Sequence, residues 1–190
     1  MMIKQLLFFS LLTTIMICNG CKSRNVQEVR SVKKSGTEEL TSSDRIVELI
    51  DRAGLQKLIH ERHGKTLLLN IWATWCMPCI EEFPDLVKLY LSQGADTLEI
   101  VGISVDDSDD VESKVVPFLE KHAVPFKVYL AHFVKQDEFI NSLDSTWKGA
   151  IPATFIYDSL GNQRFLMIGQ STFNQFKYKV GQLQTKRRVL

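Results

Sequence analysis

The chain has 190 residues, of which 45% are hydrophobic and 24% charged, a composition typical of a soluble globular protein. This length suits one domain with an additional segment attached. Lys and Arg together number 23 and Asp and Glu 22, so the formal net charge of +1 gives no charge argument for a nucleic-acid-binding function. Lys4 is the single charged residue of positions 1–20, and without that segment the net charge is zero.

The N-terminus has the pattern of an export signal. Lys4 is followed by the apolar run 6–17 and then by small residues. A charged start, a short apolar core and small residues are typical of a secretory signal. The run is shorter than the roughly 20 apolar residues that a membrane-spanning helix needs. We therefore expect the rest of the chain to lie outside the cytoplasm.

The end of this run resembles the cleavage site of a bacterial lipoprotein signal. Cys21 matches the cysteine that carries the lipid after cleavage, and Gly20 is the small residue expected before it. Cys18 departs from the aliphatic residue usual at that position. The resemblance implies that the mature protein is lipid-anchored to a membrane through Cys21. An uncleaved membrane anchor and a simple secretory signal are the alternatives.

Composition divides the chain into three parts. Residues 22–43 are polar and carry few large apolar side chains, so they cannot bury enough surface to fold alone. Such a segment is typical of a flexible tether. The predicted organisation is a lipoprotein signal peptide at 1–20, a tether at 21–43 and a folded domain at 44–190.

The first half of the folded region alternates strands with helices. Its helices are predicted from apolar residues at helical spacing, and its central strands from continuous apolar runs that indicate cover on both faces. The elements are a strand at 46–50, a helix within 52–62, a strand at 67–73, a helix at 79–91 and a strand at 98–105.

The second half ends in an antiparallel hairpin. Gly161 and Asn162 tolerate positive φ and lie between two apolar runs, which predicts a tight turn there. The elements are a helix at 111–122 interrupted by Pro117, a strand at 126–130, an extra helix within 132–148, hairpin strands at 153–157 and 163–168, and a helix at 172–182. This order predicts an α/β sandwich with a mixed sheet.

The most informative segment is Trp75-Cys76-Met77-Pro78-Cys79, which follows a predicted strand and opens a predicted helix. Two intervening residues allow the sulfurs to bond. A helix N-terminus stabilises the thiolate and lowers a thiol pKa from ~8.5 toward 7 or below. Because Cys76 comes first and is expected to be more exposed, we assign it as the attacking thiol and Cys79 as the resolving thiol.

Residues 70–79 resemble the active-site segment of the thioredoxin superfamily, and more narrowly that of the extracytoplasmic TlpA/ResA-type thiol–disulfide oxidoreductases. The similarity extends over about 46–182. It implies a thioredoxin-like three-layer α/β sandwich, in which helices flank a central mixed β-sheet. It also implies an enzyme that exchanges disulfides with exported proteins.

The resemblance assigns residues that contact substrate. Ile151 and Pro152 match the cis-proline loop that lies beside the cysteines and receives the substrate chain in this family. Trp75, Met77 and Pro78 surround the cysteine pair. We expect substrate contacts from all five residues.

The resemblance also assigns a group for proton transfer. Glu82 matches a glutamate that family members use in proton handling, and helical spacing puts it one turn past Cys79. Glu81 is its rival. Asn70 stands where thioredoxin has a buried aspartate and cannot itself accept a proton, which favours Glu82. Pro84 resembles a proline that kinks the active-site helix.

The sequence therefore predicts a disulfide reductase for exported proteins, with apocytochromes as one candidate substrate, that is recharged by a membrane thiol donor. No cofactor, metal or nucleic acid is expected. Three alternatives are open: a disulfide-introducing oxidant, a structural disulfide, and a metal-binding protein. If the metal were zinc, the site would require four ligands. If it were Cu(I), which thiolates suit, Met77 would be available as a further ligand beside the two cysteines.

Overall fold

The structure is a computed structural model that describes residues 47–93 and 96–187. The predicted signal peptide, the tether and Cys21 lie outside the described residues. The elements in chain order are β1 (Val47–Ile50), α1 (Arg52–His60), β2 (Thr66–Trp72), α2 (Met77–Ser92), β3 (Leu98–Ser104), α3 (Val116–Lys121), β4 (Lys127–Ala131), α4 (Gln136–Leu143), β5 (Ala153–Tyr157), β6 (Gln163–Ile168) and α5 (Phe173–Arg187).

Six strands form one mixed sheet in the order β1-β4-β3-β2-β5-β6. The first four strands in this order run parallel to one another, and β5 and β6 are added in antiparallel sense as the predicted hairpin. Strand β2 lies near the centre, and all seven of its residues are buried, as its continuous apolar run predicts. The predicted fold class is confirmed.

The sheet separates two apolar cores and so makes three layers. In β2, Leu68 and Trp72 point into one core, whereas Leu67, Leu69 and Ile71 point into the other. The first core is closed by side chains of α2, α3 and α5, and the second by side chains of α1 and α4. The extra helix expected within 132–148 is thus α4, and it covers the face opposite α2.

The predicted helix at 111–122 is not uniform. A short 3₁₀ turn at Ser108–Asp110 leads into a π-helical turn at Val111–Val115, and α3 begins only at Val116. Pro117 lies in the first turn of α3 and lacks the N–H that a helix continuing from the π-helical turn would use. The proline therefore stands where the π-helical turn changes to an α-helix.

The described helices include none that is long and apolar enough to cross a membrane.

Candidate active site

The two cysteines lie at the N-terminus of α2. Cys76 is the N-cap residue, and its carbonyl oxygen accepts from the N–H groups of Cys79 at 3.0 Å and Ile80 at 3.1 Å. The cysteines form a disulfide with an S–S distance of 2.04 Å and a Cα–Cα distance of 5.2 Å. Cys76 is 6% exposed and Cys79 0%, so the predicted order of exposure is confirmed, although both side chains are buried. In the reduced form, the helix N-terminus favours the thiolate of Cys76.

The residues around the cysteine pair form an exposed rim. Trp75 is 67% exposed and Met77 63%, and Pro78 is exposed as well. The Ile151–Pro152 peptide bond is cis, as the resemblance predicts. The antiparallel pairing of β5 with β2 brings this loop to the end of β2 from which the cysteine segment departs. Ile151 is half-buried and Pro152 is buried, and substrate contact stays a prediction for all five residues.

Glu82 is a buried carboxyl on the same face of α2 as Cys79. It lies one turn beyond that cysteine and is 1% exposed. Its Oε1 accepts from Asn70 Nδ2 at 2.7 Å, and its Oε2 accepts from the backbone N–H of Ser171 at 2.9 Å. Burial raises the pKa of Glu82 to about 7, against the opposing effect of these two hydrogen bonds. Glu81 is exposed, so the structure selects Glu82 as the inward-facing glutamate.

Asn70 connects this carboxyl to the sheet. Its Nδ2 also donates to Thr154 Oγ1 at 3.0 Å, and its Oδ1 has no hydrogen-bond partner among the described residues. With the amide in the opposite orientation, Oδ1 would face Glu82 and could accept the proton of the neutral carboxyl. Asn70 can thus form a hydrogen bond with either protonation state of Glu82, although its own amide group does not ionise.

A second buried carboxylate, which the sequence analysis missed, holds the segment before the cysteines. Asp106 accepts from the Thr74 N–H at 3.0 and 3.1 Å and from Thr74 Oγ1 at 2.6 Å. It also accepts from Ser104 Oγ at 2.6 Å. Residues that follow neighbouring parallel strands meet at one sheet edge, and β2 and β3 pair as Trp72 with Ser104. This rule could have predicted from the sequence that Asp106 lies close to the segment before the cysteines.

We expect Asp106→Ala to lower the free energy of unfolding by about 1–3 kcal/mol, because the Thr74 N–H and two hydroxyls lose their acceptor. Urea unfolding of the purified protein measures this change. Asp109→Ala is the matched control, because Asp109 is exposed in the adjacent 3₁₀ turn. Equal effects of the two substitutions on the free energy of unfolding would contradict the proposed role of Asp106 in holding the segment before the cysteines.

Within residues 47–93 and 96–187, no group of three or more His, Cys, Asp or Glu side chains is placed to bind an ion.

Sequence comparison places the chain among known redox proteins. Residues 48–165, more than half of the chain, match the model of the AhpC/TSA family. ResA of Geobacillus kaustophilus, a thiol–disulfide oxidoreductase, is 28% identical over 65% of this chain and 66% of its own length. The thioredoxin-like protein YneN of Bacillus subtilis is 26% identical over 85% of this chain and 89% of its own.

Solved structures agree with this placement. A thiol:disulfide interchange protein from Chlorobium tepidum is 25% identical, with a TM-score of 0.55 over 65% of this chain and 82% of its own. A thioredoxin-related protein from Neisseria meningitidis has a TM-score of 0.56 at 24% identity over 64% of this chain and 87% of its own, which supports the fold. The chain therefore belongs to the AhpC/TSA family, and its similarity to thiol–disulfide oxidoreductases, together with its Cys76–Cys79 pair, identifies it as a thiol–disulfide oxidoreductase.

Proposed function

We propose that this thiol–disulfide oxidoreductase reduces disulfides in exported proteins while a lipid on Cys21 holds it at the outer side of a membrane. The observation that carries the proposal is the Cys76–Cys79 pair at the N-terminus of α2, with the buried carboxyl of Glu82 one turn away. The export signal and the lipoprotein-like cysteine support the location.

The proposed reaction moves two electrons from the dithiol to the substrate. The Cys76 thiolate attacks one sulfur of the substrate disulfide, that bond breaks, and the leaving thiolate takes up a proton. Cys79 then attacks the Sγ of Cys76 in the mixed disulfide, the bond from Cys76 to the substrate sulfur breaks, and the second substrate thiolate leaves and takes up a proton from water. Glu82 as a carboxylate accepts the proton of the Cys79 thiol in this step. The products are the Cys76–Cys79 disulfide and a substrate dithiol.

Burial of both sulfurs supports reduction as the direction. A strongly oxidising pair has a stabilised reduced form, and a low thiol pKa is one source of that stability. Here Cys76 and Cys79 both belong to the apolar core on the α2 face of the sheet. Burial in apolar surroundings and the charge of an ionised Glu82 both disfavour a thiolate, and so oppose the effect of the helix N-terminus on Cys76. A membrane thiol donor then has to restore the dithiol after each turnover.

Trapping of substrates in cells tests the exchange. We expect Cys79→Ala to accumulate mixed disulfides between Cys76 and exported proteins, because the resolving thiol is missing. The double variant Cys76→Ala/Cys79→Ala is the control and should trap none. Absence of mixed disulfides in the single variant would argue against exchange with exported proteins.

Cell fractionation and fatty-acid labelling test the location. We expect the unchanged protein in the membrane fraction and labelled by the fatty acid, and Cys21→Ser without label, because the substitution removes the site of lipid attachment. Absence of label from the unchanged protein, or equal labelling of Cys21→Ser, would contradict a lipid anchor at Cys21.

A further inference from the structure

A cavity of about 390 Å³ lies beside the exposed rim. Trp75, which precedes Cys76, and Ile151, which precedes the cis-proline, line the cavity together with Gln136 and Ile140 of α4. Its size is within the range of about 300–1,000 Å³ that is typical of small-ligand pockets. Trp75 and Gln136 are exposed, so the cavity is reached from the same surface as the rim.

Three aromatic side chains give this cavity a fixed apolar wall. Phe139 lies between Phe133 and Trp147, with ring-centroid distances of 4.9 and 6.1 Å. Phe139 and Trp147 are buried, and the indole N–H of Trp147 donates to the carbonyl oxygen of Ala150 at 2.9 Å. Because these rings are held by packing and by that hydrogen bond, an apolar group can enter without first ordering the wall.

Two acidic side chains, Asp106 and Asp107, follow β3 and also line the cavity. Asp106 is buried and saturated by Thr74 and Ser104, whereas Asp107 is exposed. None of the described lining residues is basic. The cavity therefore pairs an apolar wall with two acidic side chains, and Lys114, which pairs with Asp110, is a cation near them outside the lining.

We propose that this cavity is a subsite for a side chain of the protein substrate, and that it selects disulfides flanked by a large apolar residue with a basic residue beside it. The apolar side chain would pack against Phe133 and Phe139, and the basic group would face Asp107. The proposal rests on the proposed function, because the occupant is part of the chain whose disulfide Cys76 attacks. The continuity of the cavity with the rim through Trp75 and Ile151 favours that occupant.

Single-turnover reduction of short disulfide peptides tests the subsite. The reduced protein is mixed with peptides that carry Phe-Lys, Gly-Lys or Phe-Glu next to a cysteine of the disulfide. The reaction is acid-quenched, and the remaining protein thiols are alkylated and counted by mass. We expect Phe-Lys to react about 10-fold faster than Gly-Lys, from burial of the ring. We expect it to react about threefold faster than Phe-Glu, with a difference that shrinks at high salt.

Variants with matched controls test whether the cavity causes these differences in rate. Gln136→Trp should fill the cavity and abolish the preference for Phe-Lys over Gly-Lys, whereas Asn141→Trp, exposed on the same helix outside the cavity, should keep it. Asp107→Asn should abolish the preference for Lys over Glu, and exposed Asp109→Asn should keep it. Thermal melts of all four variants confirm that they are folded.

The outcomes separate this subsite from the function on which it rests. Equal rates for the three peptides, or equal effects of a variant and its control, would overturn the subsite and leave disulfide reduction in place. Failure of every peptide disulfide to oxidise the protein would overturn both the proposed function and the subsite.

Discussion

Cys76→Ser is expected to abolish disulfide reduction, whereas Cys79→Ser is expected to stop after the first step with a substrate bound covalently. The first variant lacks the attacking thiolate. The second lacks the thiol that releases the mixed disulfide, so one substrate adduct should form per protein molecule. Mass spectrometry of each purified variant after mixing with a peptide disulfide distinguishes the two results.

The folded state of both variants is the necessary control. The disulfide closes a loop of two intervening residues, and so short a loop restrains the unfolded chain little. Serine has nearly the size of cysteine and is a favourable N-cap residue at position 76. We therefore expect Cys76→Ser to melt close to the reduced parent protein, and Cys79→Ser to melt somewhat lower but remain folded, because its hydroxyl is buried in the apolar core. Adducts that form on Cys79 and not on Cys76 would reverse the assigned roles.

Glu82→Gln is expected to slow the resolving step by about 10²-fold, the lower range for loss of a general base. Burial raises the pKa of Glu82 to about 7, so the parent rate should increase as pH rises through that value. The glutamine variant should lack this limb of the pH profile. Reactions run between pH 5.5 and 8.5 and quenched with acid at set times measure the rate at which the mixed disulfide is resolved.

The same substitution should change how stability depends on pH. In the unfolded chain the Glu82 carboxyl ionises near its ordinary value of 4.5, whereas in the folded chain it ionises near 7. Between these values the folded state holds a proton that the unfolded state has lost, so the parent protein loses stability as pH rises through this window. The full difference amounts to about 3 kcal/mol, and Glu82→Gln should remove that part of the slope.

Glu81→Gln is the matched control for both experiments, because Glu81 is the exposed neighbour on the same helix. It should keep the parent pH profile and the parent slope of stability, measured by urea unfolding of the oxidised protein at pH 5, 6, 7 and 8. A parent-like pH profile in Glu82→Gln would contradict a role of this carboxyl in proton transfer.

Much of the fold follows from local patterns. The continuous apolar run of β2 predicts a strand covered on both faces, and Gly161 with Asn162 predicts the β5–β6 turn, where Gly161 has φ +82°. The choice between the two glutamates was also available from helical phase. Cys79, Glu82 and Phe83 share the buried face of α2, and that face excludes Glu81.

Other parts depend on contacts between distant segments. Asp106 reaches Thr74 across 32 positions of the chain, and Ser171 reaches Glu82 across 89. No local pattern identifies such partners, because each depends on how strands and loops meet at one edge of the sheet. The cavity depends on where α4 packs against the segment after β3. The composition of that helix predicts an amphipathic element but not the space beneath it.

The reduction potential of the Cys76–Cys79 pair tests the proposed direction of electron flow most directly. The purified protein is equilibrated with thiol–disulfide buffers of defined potential, and the dithiol fraction is measured after alkylation. We predict a reversible two-electron transition near the value of thioredoxin, about −270 mV. A value near that of strongly oxidising disulfide donors, about −120 mV, would contradict a reductase and make the protein an oxidant.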